Sequence, residues 1–320
     1  MLKMTTILAL VKQNEALMQL RTALPADVRL LTADQATAAD LAQVDIIYGW
    51  NETDRKVLAL PQQQVKWIQT ISAGVDSLPL AQLKQQHILL SNTSGIHAES
   101  IAESVIGMLL MHVRGLQESA VQQTQSQWHK PEHHQLTTLK AKQLLIYGTG
   151  HIGQRIAELA NALGMQVSGV NRSGHPVDHF GATYSMATVK SALRQADVIV
   201  NVMPLTATTK HFFNADFFAQ LQKQPIFVNV GRGPSVDTSA LITALQHQQV
   251  GFAALDVFED EPLPADHPLW QQKNVLLMPH ISGIFDGYMR AANQIFMNNL
   301  QSFLTQGQLA QNQVELDRGY

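Results

Sequence analysis

The sequence predicts an α/β protein built from two doubly wound parallel-sheet domains, and three observations predict it. Short apolar segments alternate with amphipathic ones along most of the chain, the pattern of parallel strands covered by helices. A glycine-rich turn, Gly148-Thr149-Gly150-His151-Ile152-Gly153, falls near the middle, between a strand-like and a helix-like segment. At 320 residues the chain exceeds what one hydrophobic core usually serves. Because well over a hundred residues precede the glycine turn, the second domain is expected to be inserted into the first.

Taken in order, the first expected strand is Thr6–Val11. The apolar run from Met1 closes at Lys12 without a small-residue cleavage site, so it reads as a buried strand and not as a signal peptide. Further strands are expected at Val28–Leu31, Asp45–Gly49, Trp67–Thr70 and Ile88–Ser91, with amphipathic stretches such as Asn14–Arg21 and Asp54–Leu60 between them. One long connecting helix is expected from Ala98 to about Gln127, apolar early and glutamine-rich late. Its apolar part, Val105 to Val113, is too short and too interrupted to span a bilayer. Leu144–Tyr147 then forms the strand before the glycine turn, and Gln154–Ala160 the helix after it. Strands follow at Gln166–Val170, Val198–Asn201, Ile226–Val230, Gly251–Asp256 and Val275–Met278, and a last helix at Met289–Leu304. The expected domains are therefore 1–97 with 289–320, and 98–288. Tyr48 and Trp50 suit either a binding cleft or the core of the first domain.

Composition narrows the function classes. A hydrophobic content of 45% supplies two cores, and a net charge of −3 gives no electrostatic reason to expect nucleic acid as a partner. No cysteine is present, which excludes disulfides, thiolate metal sites and a cysteine nucleophile. A cytoplasmic protein without membrane association is the expectation. His129, His133 and His134 lie in a polar segment with neither helical spacing nor a fourth ligand, so no metal site is expected.

The glycine turn is suited to a dinucleotide. Gly148 permits the tight turn, Gly150 lets backbone approach a pyrophosphate, and Gly153 lets helix and strand pack closely. The amides of the helix start, from Gly150 through His151 and Ile152, then face the phosphates. Downstream, three candidates each follow the carboxyl end of an expected strand, where open α/β sheets bind ligands. Arg232, in Asn229-Val230-Gly231-Arg232-Gly233, can fork two N–H bonds onto a carboxylate and a neighbouring carbonyl oxygen. His280, in Met278-Pro279-His280, can give a proton to an oxygen that becomes an alkoxide when hydride reaches its carbon. Glu261, in Asp256-Val257-Phe258-Glu259-Asp260-Glu261-Pro262, would favour the protonated form of that histidine.

With these motifs in this order, the chain resembles the D-isomer-specific 2-hydroxyacid dehydrogenase family. Ser72-Ala73-Gly74-Val75-Asp76, Gly95–Glu103, Pro204-Leu205-Thr206 and Pro268-Leu269-Trp270 carry the resemblance alongside the glycine turn and the trio. It implies a Rossmann cofactor domain inserted into a flavodoxin-like substrate domain, with the active site in the cleft between them and a homodimer contact in Ala98–Pro131. The implied reaction is hydride transfer between a nicotinamide and C2 of a small 2-oxo or D-2-hydroxy acid, with Arg232, Glu261 and His280 catalytic. By the same resemblance the amides of Ala73, Gly74 and Val75 hold the substrate carboxylate, and Asp256 orients the nicotinamide carboxamide. Met203, Pro204, Val230 and Gly231 fall at the strand ends that border the cofactor.

Three departures refine the expectation. Val202 stands where the family often has histidine, Glu261 argues against the formate-oxidising branch, and Ile281-Ser282-Gly283 lacks the aromatic stretch of D-lactate-type members. Beyond Gln166–Val170, where an NAD-type site presents an acid to the ribose, this chain has Asn171-Arg172-Ser173. Arg172 can pair with a 2′-phosphate, so NADP(H) is the expected preference, with NAD(H) possible. Two alternatives stay open. One is a phosphoglycerate dehydrogenase of serine synthesis, which needs basic groups for the substrate phosphate. The other is a dinucleotide-sensing corepressor on the same scaffold, which has no need of the trio.

Overall fold

The computed structural model describes residues 4–12, 14–132 and 136–317. His133 and His134 lie outside the described residues. In chain order the first elements are β1 (Thr5–Ala9), α1 (Glu15–Ala23), β2 (Val28–Thr32), α2 (Ala38–Leu41), β3 (Ile46–Tyr48), α3 (Glu52–Leu58), β4 (Trp67–Gln69), α4 (Leu80–Gln85) and β5 (Leu89–Ser91). Then come α5 (Ala98–Val113), α6 (Leu116–Thr124), β6 (Gln143–Tyr147), α7 (His151–Ala162), β7 (Gln166–Val170), β8 (Ala182–Tyr184), α8 (Lys190–Gln195) and β9 (Val198–Asn201). The chain closes with α9 (Ala215–Phe218), β10 (Ile226–Asn229), α10 (Thr238–Gln246), β11 (Phe252–Leu255), β12 (Val275–Leu277) and α11 (Tyr288–Gln306). Two compact units result, one running to Ile96 and resuming at Phe285, the other spanning His97–Ile284.

In the smaller unit five parallel strands take the order β2-β1-β3-β4-β5, the flavodoxin-like arrangement. The strands are apolar on both faces because helices cover both. On one face α11 brings Phe296, which stacks on Tyr48 at 4.4 Å and on Trp67 at 5.1 Å. Tyr48 is thus a core residue, fully buried, with its hydroxyl 2.8 Å from Asn293 Oδ1. Trp50 is half-buried against the cluster of Leu8, Ile47 and Ile68.

The larger unit holds seven parallel strands in the order β12-β11-β10-β9-β6-β7-β8. Counted from β6 this is the doubly wound 3-2-1-4-5-6 order of dinucleotide folds with one more strand at the far edge. The order reverses between β6 and β9, and ligands of such sheets bind at that switch point. Helix α5 packs on α7, where Arg155 forks onto Glu99 at 2.6 and 2.8 Å. Two expectations need correction. The single helix 98–127 is broken by Gly115, whose φ of +64° ends α5 and starts α6. Strand β8 was not expected, because its three residues are all only half-buried at the sheet edge and give no apolar signal.

Candidate functional site

The glycine turn joins β6 to α7, and its glycines differ in what surrounds them. A Cβ on Gly148 (φ +107°) would lie 3.0 Å from Val202 Cγ2, and one on Gly153 only 2.0 Å from the Gly148 carbonyl oxygen. A Cβ on Gly150 would meet nothing within 4 Å. The first two glycines are thus required by the protein's own packing, while the third faces open space. Helix α7 has no side-chain cap at Gly150, so the N–H groups of its first turn, with His151 exposed and Ile152 half-buried, have no intrahelical partner. An uncapped helix start beside open space fits a pyrophosphate.

At the end of β7, Asn171 holds the following loop closed. Its Oδ1 accepts from Gly174 N at 2.7 Å, and its Nδ2 donates to His175 O at 2.9 Å and to Thr149 Oγ1 at 3.3 Å. The Ser173 hydroxyl lies 2.8 Å from His175 Nδ1. Arg172 is exposed and has no partner among the described residues. Asp178, also exposed, lies beyond Gly174 and Pro176 in the same connection.

The ends of β9 and β10 are joined by a buried polar network that sequence reasoning did not identify. Asn201 donates to Asn229 Oδ1 at 2.9 Å and to Ser235 Oγ at 2.8 Å, and accepts from Met203 N at 3.0 Å. Asn229 accepts from Gly231 N at 3.2 Å and donates to the Arg232 carbonyl at 3.1 Å, where the Ser235 hydroxyl also donates at 2.5 Å. This network fixes the backbone of Val230, Gly231 and Arg232. Gly231 must lack a side chain because a Cβ would sit 3.0 Å from both Asn201 Nδ2 and the Met203 carbonyl oxygen. Met203 is buried and Pro204 exposed at the neighbouring strand end. The signal for the network was two asparagines closing apolar strands, which reads equally as turn chemistry.

Glu261 and His280 meet. Their Oε2 and Nδ1 atoms are 2.7 Å apart, while Glu261 Oε1 accepts from Phe258 N at 2.9 Å. The Arg232 loop abuts the same segment, since a Cβ on Gly233 would fall 1.8 Å from the Phe258 carbonyl oxygen. His280 occupies the left-handed region at φ +53°. Asp256, buried at the end of β11, secures the residues that follow. Its Oδ1 accepts from Ile281 N at 2.8 Å and its Oδ2 from Ser282 N at 3.1 Å and from the Ser282 hydroxyl. His97, which the sequence does not single out, stands here too, its Nδ1 3.1 Å from the Gly283 carbonyl oxygen. Burial pushes its ring below the usual histidine range, the Arg232 guanidinium adds to that, and the bond to Gly283 opposes it. Glu259 ties three loops together: His211 Nε2 lies 2.7 Å from its Oε1, and Thr238 N donates to its Oε2 at 2.9 Å. Burial acts to raise its carboxyl, but the bonds from Thr238 and His211 prevail and hold it below the usual range.

In the smaller unit, the loop after β4 presents amides by turning its carbonyls the other way. Thr93 Oγ1 donates to Ile71 O at 2.9 Å, Thr70 Oγ1 to Ser72 O at 2.8 Å, Asn92 Nδ2 to Ala73 O at 2.8 Å, and Ser72 Oγ to Gly74 O at 2.8 Å. Tyr288 also donates its hydroxyl to Ile71 O. The amides of Ala73, Gly74 and Val75 donate to no acceptor among the described residues. Successive amides of this kind can form an anion-binding concavity. No group of three or more potential metal ligands occurs among the described residues, nor any helix long and apolar enough to cross a membrane.

Comparison with known proteins accords with this geometry. Residues 106–282 match the family profile described as "D-isomer specific 2-hydroxyacid dehydrogenase, NAD binding domain". Glyoxylate/hydroxypyruvate reductase B of Citrobacter koseri is 34% identical over 261 residues, 80% of this chain and 79% of that one. Among solved structures, phosphoglycerate dehydrogenase of Lactobacillus plantarum is 46% identical, covering 97% of this chain and 100% of that one with a TM-score of 0.58. A D-isomer specific 2-hydroxyacid dehydrogenase of Xanthobacter autotrophicus Py2, solved with NADPH and MES, is 27% identical, covering 99% of each chain with a TM-score of 0.83. The chain therefore belongs to the D-isomer specific 2-hydroxyacid dehydrogenase family and is an NAD(P)-dependent oxidoreductase of 2-hydroxy acids.

Proposed function

We propose that the protein reduces a small 2-oxo acid of the glyoxylate or hydroxypyruvate class to its D-2-hydroxy acid with NADPH, His280 serving as general acid. The observation that carries this reading is the 2.7 Å contact between His280 Nδ1 and Glu261 Oε2. A carboxylate only accepts, so Nδ1 bears a hydrogen and Nε2 is the nitrogen that exchanges a proton with the C2 oxygen. The nicotinamide, when bound, supplies hydride to C2. Arg232 forks onto the substrate carboxylate and the carbonyl oxygen, its backbone held by Asn229 and Ser235. The amides of Ala73, Gly74 and Val75 are likewise assigned to the substrate carboxylate. Asp256 secures Ile281 and Ser282 beside the histidine, its Oδ1 accepting from both of their amides, and it is the residue assigned to the nicotinamide carboxamide.

The glycine turn receives the pyrophosphate, and Arg172 and the Ser173 hydroxyl receive the 2′-phosphate, with uncharged Asn171 closing the loop beside them. The protein works as a homodimer through Ala98–Pro131, where Leu116, Val121 and Trp128 are exposed, and cytoplasm is the compartment that supplies its cofactor. His280→Ala is expected to lower kcat for glyoxylate by roughly 10²–10⁴-fold while NADPH still quenches tryptophan fluorescence. Turnover near that of the parent would remove His280 from the mechanism. A second reading, oxidation of 3-phosphoglycerate, is favoured by the 46% identity to the Lactobacillus plantarum enzyme. Parallel assays with 3-phosphoglycerate and with a panel of 2-oxo acids separate the two, and a corepressor would turn over neither.

A further inference from the structure

The amide concavity of the smaller unit is aimed from behind by a residue near the far end of the chain. In a trans peptide the carbonyl of one residue and the N–H of the next point in opposite directions. Each bond to a carbonyl in the 71–74 loop therefore aims one amide: Thr70 on Ser72 O aims Ala73 N–H, Asn92 on Ala73 O aims Gly74 N–H, and Ser72 on Gly74 O aims Val75 N–H. Thr70 and Ser72 act from within the loop itself. Asn92 acts from outside it, at the end of β5, and is buried.

Asn92 is in turn held by the segment that follows α11. Its N–H donates to the Asn312 carbonyl at 3.2 Å, and Asn312 Nδ2 donates to Asn92 O at 3.3 Å and to Ser94 O at 2.9 Å. An antiparallel bridge between Ser91 and Gln313, and a bond from Val314 N to Leu90 O at 2.8 Å, lay this segment along β5. Buried Asn299 of α11 anchors its other end by accepting from Gln311 N at 2.9 Å.

We infer that Asn92 is a positioning residue for the substrate carboxylate, and that Asn312 braces it there. The inference rests on the reading of Ala73–Val75 as the carboxylate cradle. Losing one hydrogen bond that aims an amide should weaken carboxylate binding about tenfold. Both Asn92→Ala and Asn312→Ala are expected to raise KM for glyoxylate by about that factor, with kcat reduced less than threefold and KM for NADPH unmoved. Asn92→Asp keeps the acceptor used by Ser94 N, at 3.0 Å in the parent, but lacks the donor to Ala73 O, so it should match Asn92→Ala in KM.

Asn312→Ala, outside the concavity, covers the case in which the Asn92 variants fold poorly. An unchanged glyoxylate KM in Asn312→Ala, or parent-like kinetics in Asn92→Asp, overturns the brace while leaving the functional reading intact. Equal losses in kcat and in both KM values would mark a merely structural role and also overturn it. A parent protein that reduces no 2-oxo acid overturns the functional reading and the brace together.

Discussion

The glycine turn of the larger unit and the loop Thr70–Val75 of the smaller one both leave backbone N–H groups without an acceptor among the described residues, and they do so by opposite means. In the turn, atoms are left out: Gly153 has no room for a Cβ, whereas a Cβ on Gly150 would meet nothing within 4 Å. In the loop, atoms are added. Thr70, Ser72, Asn92 and Thr93 each spend a side-chain donor on a carbonyl, so that the amides point elsewhere. The first device tolerates no substitution at Gly153, where the obstacle is backbone. The second is spread over several bonds, and each removal costs a fraction.

The sharpest test of that contrast compares two alanines in one turn. Gly153→Ala would drive a Cβ to 2.0 Å from the Gly148 carbonyl oxygen, and an expected loss of about 3 kcal/mol or more should lower the melting temperature by many degrees. Gly150→Ala meets no atom within 4 Å, and its φ of −75° suits any residue. It should melt within a few degrees of the parent while raising KM for NADPH about tenfold or more, because the methyl occupies the approach of the pyrophosphate. Equal melting temperatures for the two variants would erase the distinction between glycine kept for packing and glycine kept for a ligand.

Reliance on buried polar side chains carries a liability that appears in the smaller unit at Asp54. This first-turn residue of α3 is fully buried; its Oδ2 accepts from Asn51 N, but its Oδ1 has no hydrogen-bond partner among the described residues. Burial pushes its carboxyl up to about 7, against the opposing bonds from the Asn51 and Asp54 amides. The folded state therefore binds a proton that the unfolded chain, near 3.8, has already released. Stability should be full below about pH 4, fall as pH rises to about 7, and level off above. Asp54→Asn keeps an acceptor for Asn51 N and cannot ionise. It should gain roughly 2–4 kcal/mol over the parent at pH 8 and nothing at pH 4, as read by urea unfolding at the two values. A parent whose stability is flat between those values would show that the charge is accommodated.

How much of this was legible in the sequence follows the same division. A device made by omission shows itself, because glycines at fixed spacing after an apolar strand have few other uses, and Gly148, Gly150 and Gly153 fell where expected. Arg232, Glu261 and His280 could be picked out as candidates because each follows a strand end, but only folding brings Glu261 and His280 to 2.7 Å. The added-atom device was not legible. Asn92, Thr93 and Asn312 are ordinary polar residues in turns, and Asn312 is 220 positions from the residue it supports. Asn201 and Asn229 hid for the same reason, as did His97, whose environment depends on Gly283, 186 positions away. Glycine 115 misled the helix assignment, since a single glycine in a helical pattern is tolerated unless tertiary packing uses its left-handed conformation.

The smallest expected effect lies at the end of β7, where the proposed partner of an anion is a side chain rather than a set of amides. Asn171 closes the loop after β7 through its bonds to Gly174 and His175, so the position of Arg172 is set by backbone and its side chain extends outward. No carboxylate stands at the end of β7 to accept a ribose hydroxyl or to repel a 2′-phosphate. A charge-assisted pair with Arg172 contributes roughly 1.5–3 kcal/mol, so kcat/KM for NADPH should exceed that for NADH about tenfold or more. Arg172→Ala should bring the two within about threefold by weakening NADPH alone, since NADH offers no phosphate to the guanidinium. Melting temperature should not move, because Arg172 is exposed and supports nothing else among the described residues. Equal efficiencies in the parent would overturn the preference for NADPH, and a variant that loses NADH as much as NADPH would show that Arg172 holds the adenine rather than the phosphate.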